Sequence, residues 1–432
     1  MILKQAGLAP SNRAARAAVT ASAPGKLILM GEHAVVYGRP ALVAAIDLRL
    51  RAVFAPPELQ SHPAAPPPPA TIEIDLPGLA HRGSTTWAEV IAYAGAARDA
   101  WAAYAAHPDL AGFLELRGAD PAHVVKVALG EAAAALGEEP GGAPGLCLRL
   151  ESALPIGAGF GSSAAAAVAI VAGYAAWRGN ADLDPGTIAR LALETERRQH
   201  GLPSGVDTIT SLQGGLLWAR RLSSREGGEL ACERLPTGSP LLGKLRVYHT
   251  GTPPEATGAV VAAVRTRRDR DPAAHERLFD RMAAAAEDLR AELGVGVGGV
   301  GGVGGGGGVG IDGAGIGRVG VGGVGVGGGA GVVGGGAAAE TSARVTAGIR
   351  EHQACLEALG VVPAPVRALV RQIEAAGGAA KVSGAGSLAG PGAGSLLVYH
   401  EDPRAVAAWE FLRPFPHLPV HLGAAGCRLE TS

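Results

Sequence analysis

The 432-residue chain is short of cysteine, of net charge and of long apolar runs, and each shortage excludes something. Cys147, Cys232, Cys355 and Cys427 stand far apart with no C-x-x-C pair. That spacing argues against a zinc site or a disulfide framework and fits a reducing, cytoplasmic compartment. Lysine and arginine (38) nearly balance aspartate and glutamate (39), so the formal charge is −1. No basic excess points to a nucleic-acid partner, and no acidic excess points to a solvating protein. A few local cations still suffice to hold an anionic ligand. The longest ordinary apolar run, Ala164 to Trp177, stops at Arg178 and is too short to span a membrane. Lys4, Arg13 and Arg16 precede any acid, a faint likeness to an organellar transit peptide. A leucine-rich signal core is missing, however, and residues 1–18 read as a disordered tail.

Hydrophobic residues make up 47% of the chain, enough for a real core, and 432 residues suggest two or three domains, or two with insertions. Glycine is the anomaly: of 67 glycines, 26 fall in the 43 residues from Gly294 to Gly336. Glycine buries almost no side chain and has much backbone entropy to lose. The tract therefore reads as a low-complexity insertion rather than a phosphate loop, which is a short, defined turn. Pro56 to Ala70 reads as a proline-rich surface loop.

The remainder predicts mixed strands and helices without strict βαβ alternation, an α+β class. Strands are expected at 70–76, 146–152, 215–219, 245–251 and 395–400. Helices are expected at 163–177, 185–200, 273–293, 343–358, 366–376 and 404–412. Asp184 before Pro185 predicts an N-cap with proline at the first helical position.

Three segments carry chemistry. In the first, APGKLILMGEHAVVYG (23–38), a Pro-Gly turn is expected to present Lys26 beside a buried strand, Leu27–Met30. Such a lysine brings positive charge into a cleft, or is simply solvated on a loop. The second, PIGAGFGSSAA (155–165), runs from a strand through three glycines into a helix. Its glycines let the backbone approach a ligand closely, and the helix start supplies amides and the positive dipole end, which makes an anion site. Ser162 and Ser163 can cap the helix, bind phosphate or ligate Mg²⁺. The pattern is neither a Walker loop nor a nucleophile elbow nor a dinucleotide fingerprint. The third, ERRQHGLPSGVDTIT (196–210), places Glu196 near a helix end and Asp207 after a Pro-Ser-Gly turn. Two such carboxylates can divide metal holding from proton handling, or serve only as a helix-surface and a capping residue.

In this order the segments resemble the motifs of the GHMP small-molecule kinases, as does KVSGAG (381–386) farther on. GEHAVVYG and HGLPSGVD, with Gly214-Gly215 downstream, are similar to the versions in the family's mevalonate-phosphorylating members. The resemblance runs from about Val19 onward, outside the two insertions. It departs from the family pattern in the third motif, which continues GAGSLAGPGAG, and in the glycine tract.

The resemblance implies the family's two-domain α+β fold, with an N-terminal domain over 19–238, a C-terminal domain over 239–432 interrupted at 294–336, and the active site between them. It implies ATP on Ser152, Gly157, Ala158, Gly159, Phe160, Gly161, Ser162 and Ser163, and Mg²⁺ on Ser163 and Glu196. Asp207 would handle the proton of the substrate hydroxyl and Lys26 would pair with it. Glu32, His33 and Ala385 would contact the acceptor. The implied reaction is ATP-dependent phosphorylation of (R)-mevalonate to 5-phosphomevalonate for isoprenoid synthesis, with small molecules rather than nucleic acid or membrane as partners. A homodimer is common in the family. The alternatives are phosphomevalonate kinase, another GHMP kinase, or a catalytically silent binding protein of the same fold.

Overall fold

The computed structural model describes residues 17–57, 71–139, 142–155, 157–222, 230–294 and 335–431. The N-terminal tail to residue 16, most of the proline-rich stretch and the glycine tract from 295 to 334 lie outside the described residues.

In chain order the elements begin with β1 (Val19–Met30), β2 (Ala41–Ala55), β3 (Thr71–Leu76) and β4 (His81–Thr86). Next come α1 (Trp87–Ala106), α2 (Leu110–Arg117), α3 (His123–Ala135) and β5 (Leu146–Ser152). The cleft-forming part follows: α4 (Ser162–Trp177), α5 (Pro185–His200), α6 (Val206–Gln213), β6 (Leu216–Arg221) and β7 (Leu230–Leu235). The second half holds β8 (Leu245–His249), α7 (Thr257–Arg270), α8 (Pro272–Glu292), α9 (Gly335–Ala358) and α10 (Ala364–Ala375). It closes with β9 (Ala379–Ser383), β10 (Ser395–Tyr399), α11 (Pro403–Ala408), β11 (His417–Leu418) and β12 (Arg428–Glu430).

Two sheets organise these elements. The first has eight strands in the order β12-β1-β2-β5-β3-β4, with β6 on the far part of β2 and β7 on β6. Among the described residues only β3 and β5 pair in parallel. The second is the antiparallel set β11-β8-β10-β9. Helix α4, buried along nearly its whole length, packs on β1 and β2. Helices α9 and α10 pack on β9 of the second sheet, and α8 packs on α9.

Local chemistry explains many boundaries. Thr86 and Glu89 form a reciprocal capping box at the start of α1. Asp184 and Asp271 cap α5 and α8, each with proline at the first helical position. At α4 the cap is Gly161 in the left-handed region, which has no side chain to cover the first-turn amides.

The structure corrects two expectations and adds one crossing between the sheets. Pro24 and Gly25 are not a turn: they lie inside β1 at a bulge, where the pairing with β2 slips between Pro24 and Lys26. A bulge tolerates proline because the ladder is interrupted there. The helix expected at 404–412 is α11 plus a separate 3-10 turn, Glu410–Leu412. The 238/239 boundary is crossed again at the far end, because β12 pairs with β1 in the first sheet.

Candidate active site

The glycine loop is shaped by backbone that only glycine adopts readily. Gly157, Gly159 and Gly161 have φ of 73°, 84° and 69°. Between them Ala158 and Phe160 point inward, 0% and 1% exposed, and anchor the loop in the core. Phe160 O accepts the Lys26 N–H at 2.9 Å, and Ala158 O accepts the Ser395 N–H at 3.1 Å. A Cβ on Gly25 would lie 2.3 Å from Leu154 Cδ2, so glycine there lets β1 meet the loop. The loop is thus pinned to both sheets, and the N-terminus of α4 opens into the gap.

That gap is a cavity of 450 Å³. Lys26, Glu32, His33, Gly157, Gly159, Gly161, Ser162, Ser163, Glu196, Asp207 and Ala385 all line it. Sequence reasoning therefore selected residues that the fold does bring together from β1, α4, α5, α6 and the turn after β9. Ser152 is the exception. Its exposed hydroxyl accepts from the Leu154 N–H at 3.1 Å, closing a turn at the end of β5 outside the cavity. The side chains of Ala158 and Phe160 also face away from the cavity, so these two would serve a nucleotide only through backbone.

Lys26 Nζ lies 3.3 Å from Asp207 Oδ2, with the lysine buried and the aspartate about one-third exposed. Asp207 occupies the first turn of α6, beside the start of α4. Ser163 Oγ shares a 2.9 Å hydrogen bond with His200 Nε2. The same nitrogen is 3.8 Å from Glu196 Oε2. Glu196 is 3% exposed, and its Oε1 has no hydrogen-bond partner among the described residues. Burial above all, and then the charge of Asp207, pushes the Glu196 carboxyl up to about 8. A buried carboxylate oxygen without a partner, next to a hydroxyl, is the donor chemistry a hard cation requires, so these residues fit Mg²⁺.

On the opposite wall His33 Nε2 bonds Ala385 O at 3.0 Å, with His33 at φ 59°. Burial pushes the His33 imidazole down to about 4. Glu32 is 1% exposed, and its carboxylate is engaged by Lys381. After Gly386 the third motif loops away, held by Ser387 Oγ donating to Glu255 at 2.7 Å, and returns at Ala393–Gly394 to line the cavity. Sequence reasoning assigned no role to His200, Glu255, Lys381 or His352. Lys381 and His200 stood inside quoted motifs, as polar groups beside apolar or glycine-rich neighbours, and that was their only signal.

A buried lysine paired with a part-exposed aspartate before a glycine-rich helix N-terminus, with a carboxylate and hydroxyl alongside, defines a small-molecule phosphotransferase site. A family model described as the GHMP kinases N terminal domain matches residues 123–215. A mevalonate kinase of Thermococcus sibiricus is 30% identical over 273 residues, covering 63% of this chain and 69% of that protein. A mevalonate kinase of Bos taurus is 32% identical over 269 residues, covering 57% and 62%. The crystal structure of L. major mevalonate kinase in complex with R-mevalonate superposes with a TM-score of 0.59 at 17% identity, covering 96% of this chain and 100% of that one, which shows the shared fold. The chain belongs to the GHMP kinase family, and it is a kinase of α+β architecture. No helix among the described residues is long and apolar enough to cross a membrane.

Proposed function

We propose that this kinase transfers the γ-phosphoryl group of ATP to the 5-hydroxyl of (R)-mevalonate, giving 5-phosphomevalonate and ADP. The observation that carries the proposal is the Lys26–Asp207 pair at 3.3 Å, set against the start of α4. The acceptor assignment rests on the motif versions around His33 and Asp207 and on the names of the sequence relatives.

Phosphoryl transfer asks a protein chiefly for positioning and charge stabilisation. The amides of the glycine loop and the first turn of α4 would hold the nucleotide phosphates, aided by the helix dipole. Ser163 and Glu196 would hold Mg²⁺, which supplies charge neutralisation across the phosphate oxygens. Asp207 Oδ2 would accept or orient the acceptor hydroxyl proton as the new P–O bond forms. The Lys26 ammonium, fixed on the bulge of β1, would stabilise negative charge developing between acceptor oxygen and phosphate. His33 and Ala385, joined across the cleft, would line the acceptor's seat. Glu32 also lines the cavity, with one carboxylate oxygen engaged by Lys381.

The test is Mg-ATP-dependent ADP release with (R)-mevalonate, 5-phosphomevalonate, galactose and homoserine offered separately. Turnover with mevalonate alone is expected. Asp207→Asn should lower kcat by roughly 10²- to 10⁴-fold while nucleotide affinity changes little. Turnover only with another acceptor overturns the substrate assignment. Nucleotide binding without transfer to any acceptor favours a silent binding protein.

A further inference from the structure

Behind the acceptor wall lies a buried polar linkage that the proposed chemistry does not use. Lys381 on β9 is 0% exposed, and its ammonium binds the Glu32 carboxylate and donates to Ile28 O at 3.2 Å. His352 on α9 is also 0% exposed, and its Nε2 accepts the Gly31 N–H at 2.8 Å. That bond fixes the tautomer, since the accepting nitrogen carries no proton. The same nitrogen is 3.4 Å from Glu32 Oε2. Ser383 completes the set: its Oγ accepts from the Ile28 N–H at 3.1 Å and donates to Ile28 O at 3.0 Å. Gln353, the neighbour of His352, accepts the Val382 N–H at 3.0 Å.

Every bond in this group except the last joins the first sheet's strand β1, or the turn after it, to the second body of the protein. Residues 28–33 lead directly into the acceptor wall, and 381–385 are its other half. The backbone between them is tightly constrained. Gly31 has φ 99°, and a Cβ there would sit 2.5 Å from Pro40 O. His33 holds a positive φ that a side chain rarely adopts. A backbone conformation of that kind persists only where its surroundings impose it.

We propose that Lys381 and His352 are positioning residues. Through Glu32 and the Gly31 amide they hold the His33–Ala385 wall at the spacing the acceptor requires, without touching the acceptor themselves. The proposal rests on the function proposed above and deepens it, because it names what sets that site's acceptor affinity. The nucleotide side, built on the glycine loop and α4, is held by separate bonds, so the linkage acts on one substrate and not the other.

The test compares His352→Leu, which removes the acceptor of the Gly31 amide, with His352→Gln, which keeps a carbonyl oxygen for it. Lys381→Met and Lys381→Arg form a second pair. The leucine and methionine variants should raise KM for the acceptor by roughly 10-fold or more, with KM for ATP unchanged within about twofold. The glutamine and arginine variants should recover most of the loss. Amide hydrogen exchange of a peptide spanning 28–36, measured without substrates, should accelerate in His352→Leu and recover in His352→Gln. If Lys381→Met does not fold, the His352 pair carries the test alone, since its imidazole is held neutral in the fold. Equal rises in both KM values, or unchanged acceptor KM with unchanged exchange, overturn the proposal. The exchange readout needs no acceptor, and wild type is assayed in parallel. Failure of the mevalonate assignment therefore appears in wild type, and failure of the linkage appears only between variants.

Discussion

Among single residues, His33 shows how burial converts a contact into a pH dependence. Its imidazole is 6% exposed and pushed down to about 4, chiefly by loss of solvent. In the unfolded chain a histidine titrates near 6.5. The folded value is the lower one, so the fold favours the neutral ring. The stability tied to His33 is therefore fully present above pH 6.5 and is lost as pH falls from there toward 4. At full extent it is worth about 3 kcal/mol. Urea midpoints from pH 7.5 to 4.5 should fall more steeply for wild type than for His33→Gln. Parallel pH profiles would show that the His33 imidazole takes up its proton in the fold as readily as in the unfolded chain. Lys26, Glu196, Asp207 and Ser163 were legible from the sequence because each sits at a fixed offset from a glycine or proline that shapes the backbone. Ser152 stands apart from the cavity lining because its hydroxyl, at the end of a strand, accepts from the Leu154 N–H of its own turn. Lys381 and His352 were illegible as a pair, since 28 residues and a helix-to-strand crossing separate them.

For whole elements, α4 and its cap carry the argument. Gly161 is the cap, and a Cβ there would lie 3.0 Å from Lys26 Cγ, 3.2 Å from Lys26 Cε and 3.4 Å from Asp207 Oδ2. One glycine thus sets both the left-handed entry into the helix and the room in which the Lys26–Asp207 pair forms. Gly161→Ala should cost about 1–2 kcal/mol of stability from backbone strain. It should also lower turnover on the order of 10- to 100-fold by displacing Lys26. Steady-state kinetics beside a denaturant titration separate the two effects, and an alanine variant with wild-type turnover would show that the pair has slack. Helices α5, α8 and α10 were readable because Asp-Pro caps or spaced leucines and valines mark them. Strand β2 and helices α1 and α3 were missed for one shared reason. Their segments are rich in alanine, which serves core and surface alike and blurs both the 2-residue and the 3.6-residue period. Strand β2 becomes a strand because β1 and β5 flank it, information that lies outside its own fifteen residues.

Taken as a whole molecule, the two bodies are tied by more than the covalent crossing near residue 238. After β11 the chain returns to the first sheet and runs across it. Gly423 N donates to Ala45 O at 2.8 Å, Gly215 N to Ala424 O at 2.7 Å and Cys427 N to Leu212 O at 2.9 Å. Arg49 donates to Ala425 O and Gly426 O, each at 2.8 Å, before β12 pairs with β1. This contact explains the Gly-Gly after the third segment, which the sequence presented without a reason. A Cβ on Gly214 would lie 2.1 Å from Gly426 N, and one on Gly426 would lie 2.1 Å from Leu212 O. The two backbones approach closely only because both positions are glycine. Asp207 and the strapped Leu212 belong to the same short helix, α6. The strap therefore braces the helix that carries Asp207 from one side, while the second body contacts the segment 28–33 from the other. Removing residues 420–432 should lower the thermal midpoint by about 5–10 °C, given a handful of hydrogen bonds worth about 0.5–1.5 kcal/mol each. At a temperature where the shortened chain remains folded, kcat should fall as well, because α6 loses its rear support. Gly214→Val should reproduce both effects in the full-length chain by wedging the strap off. A truncated chain with the wild-type midpoint and kcat would mean that α6 and β1 hold Asp207 and Lys26 together unaided.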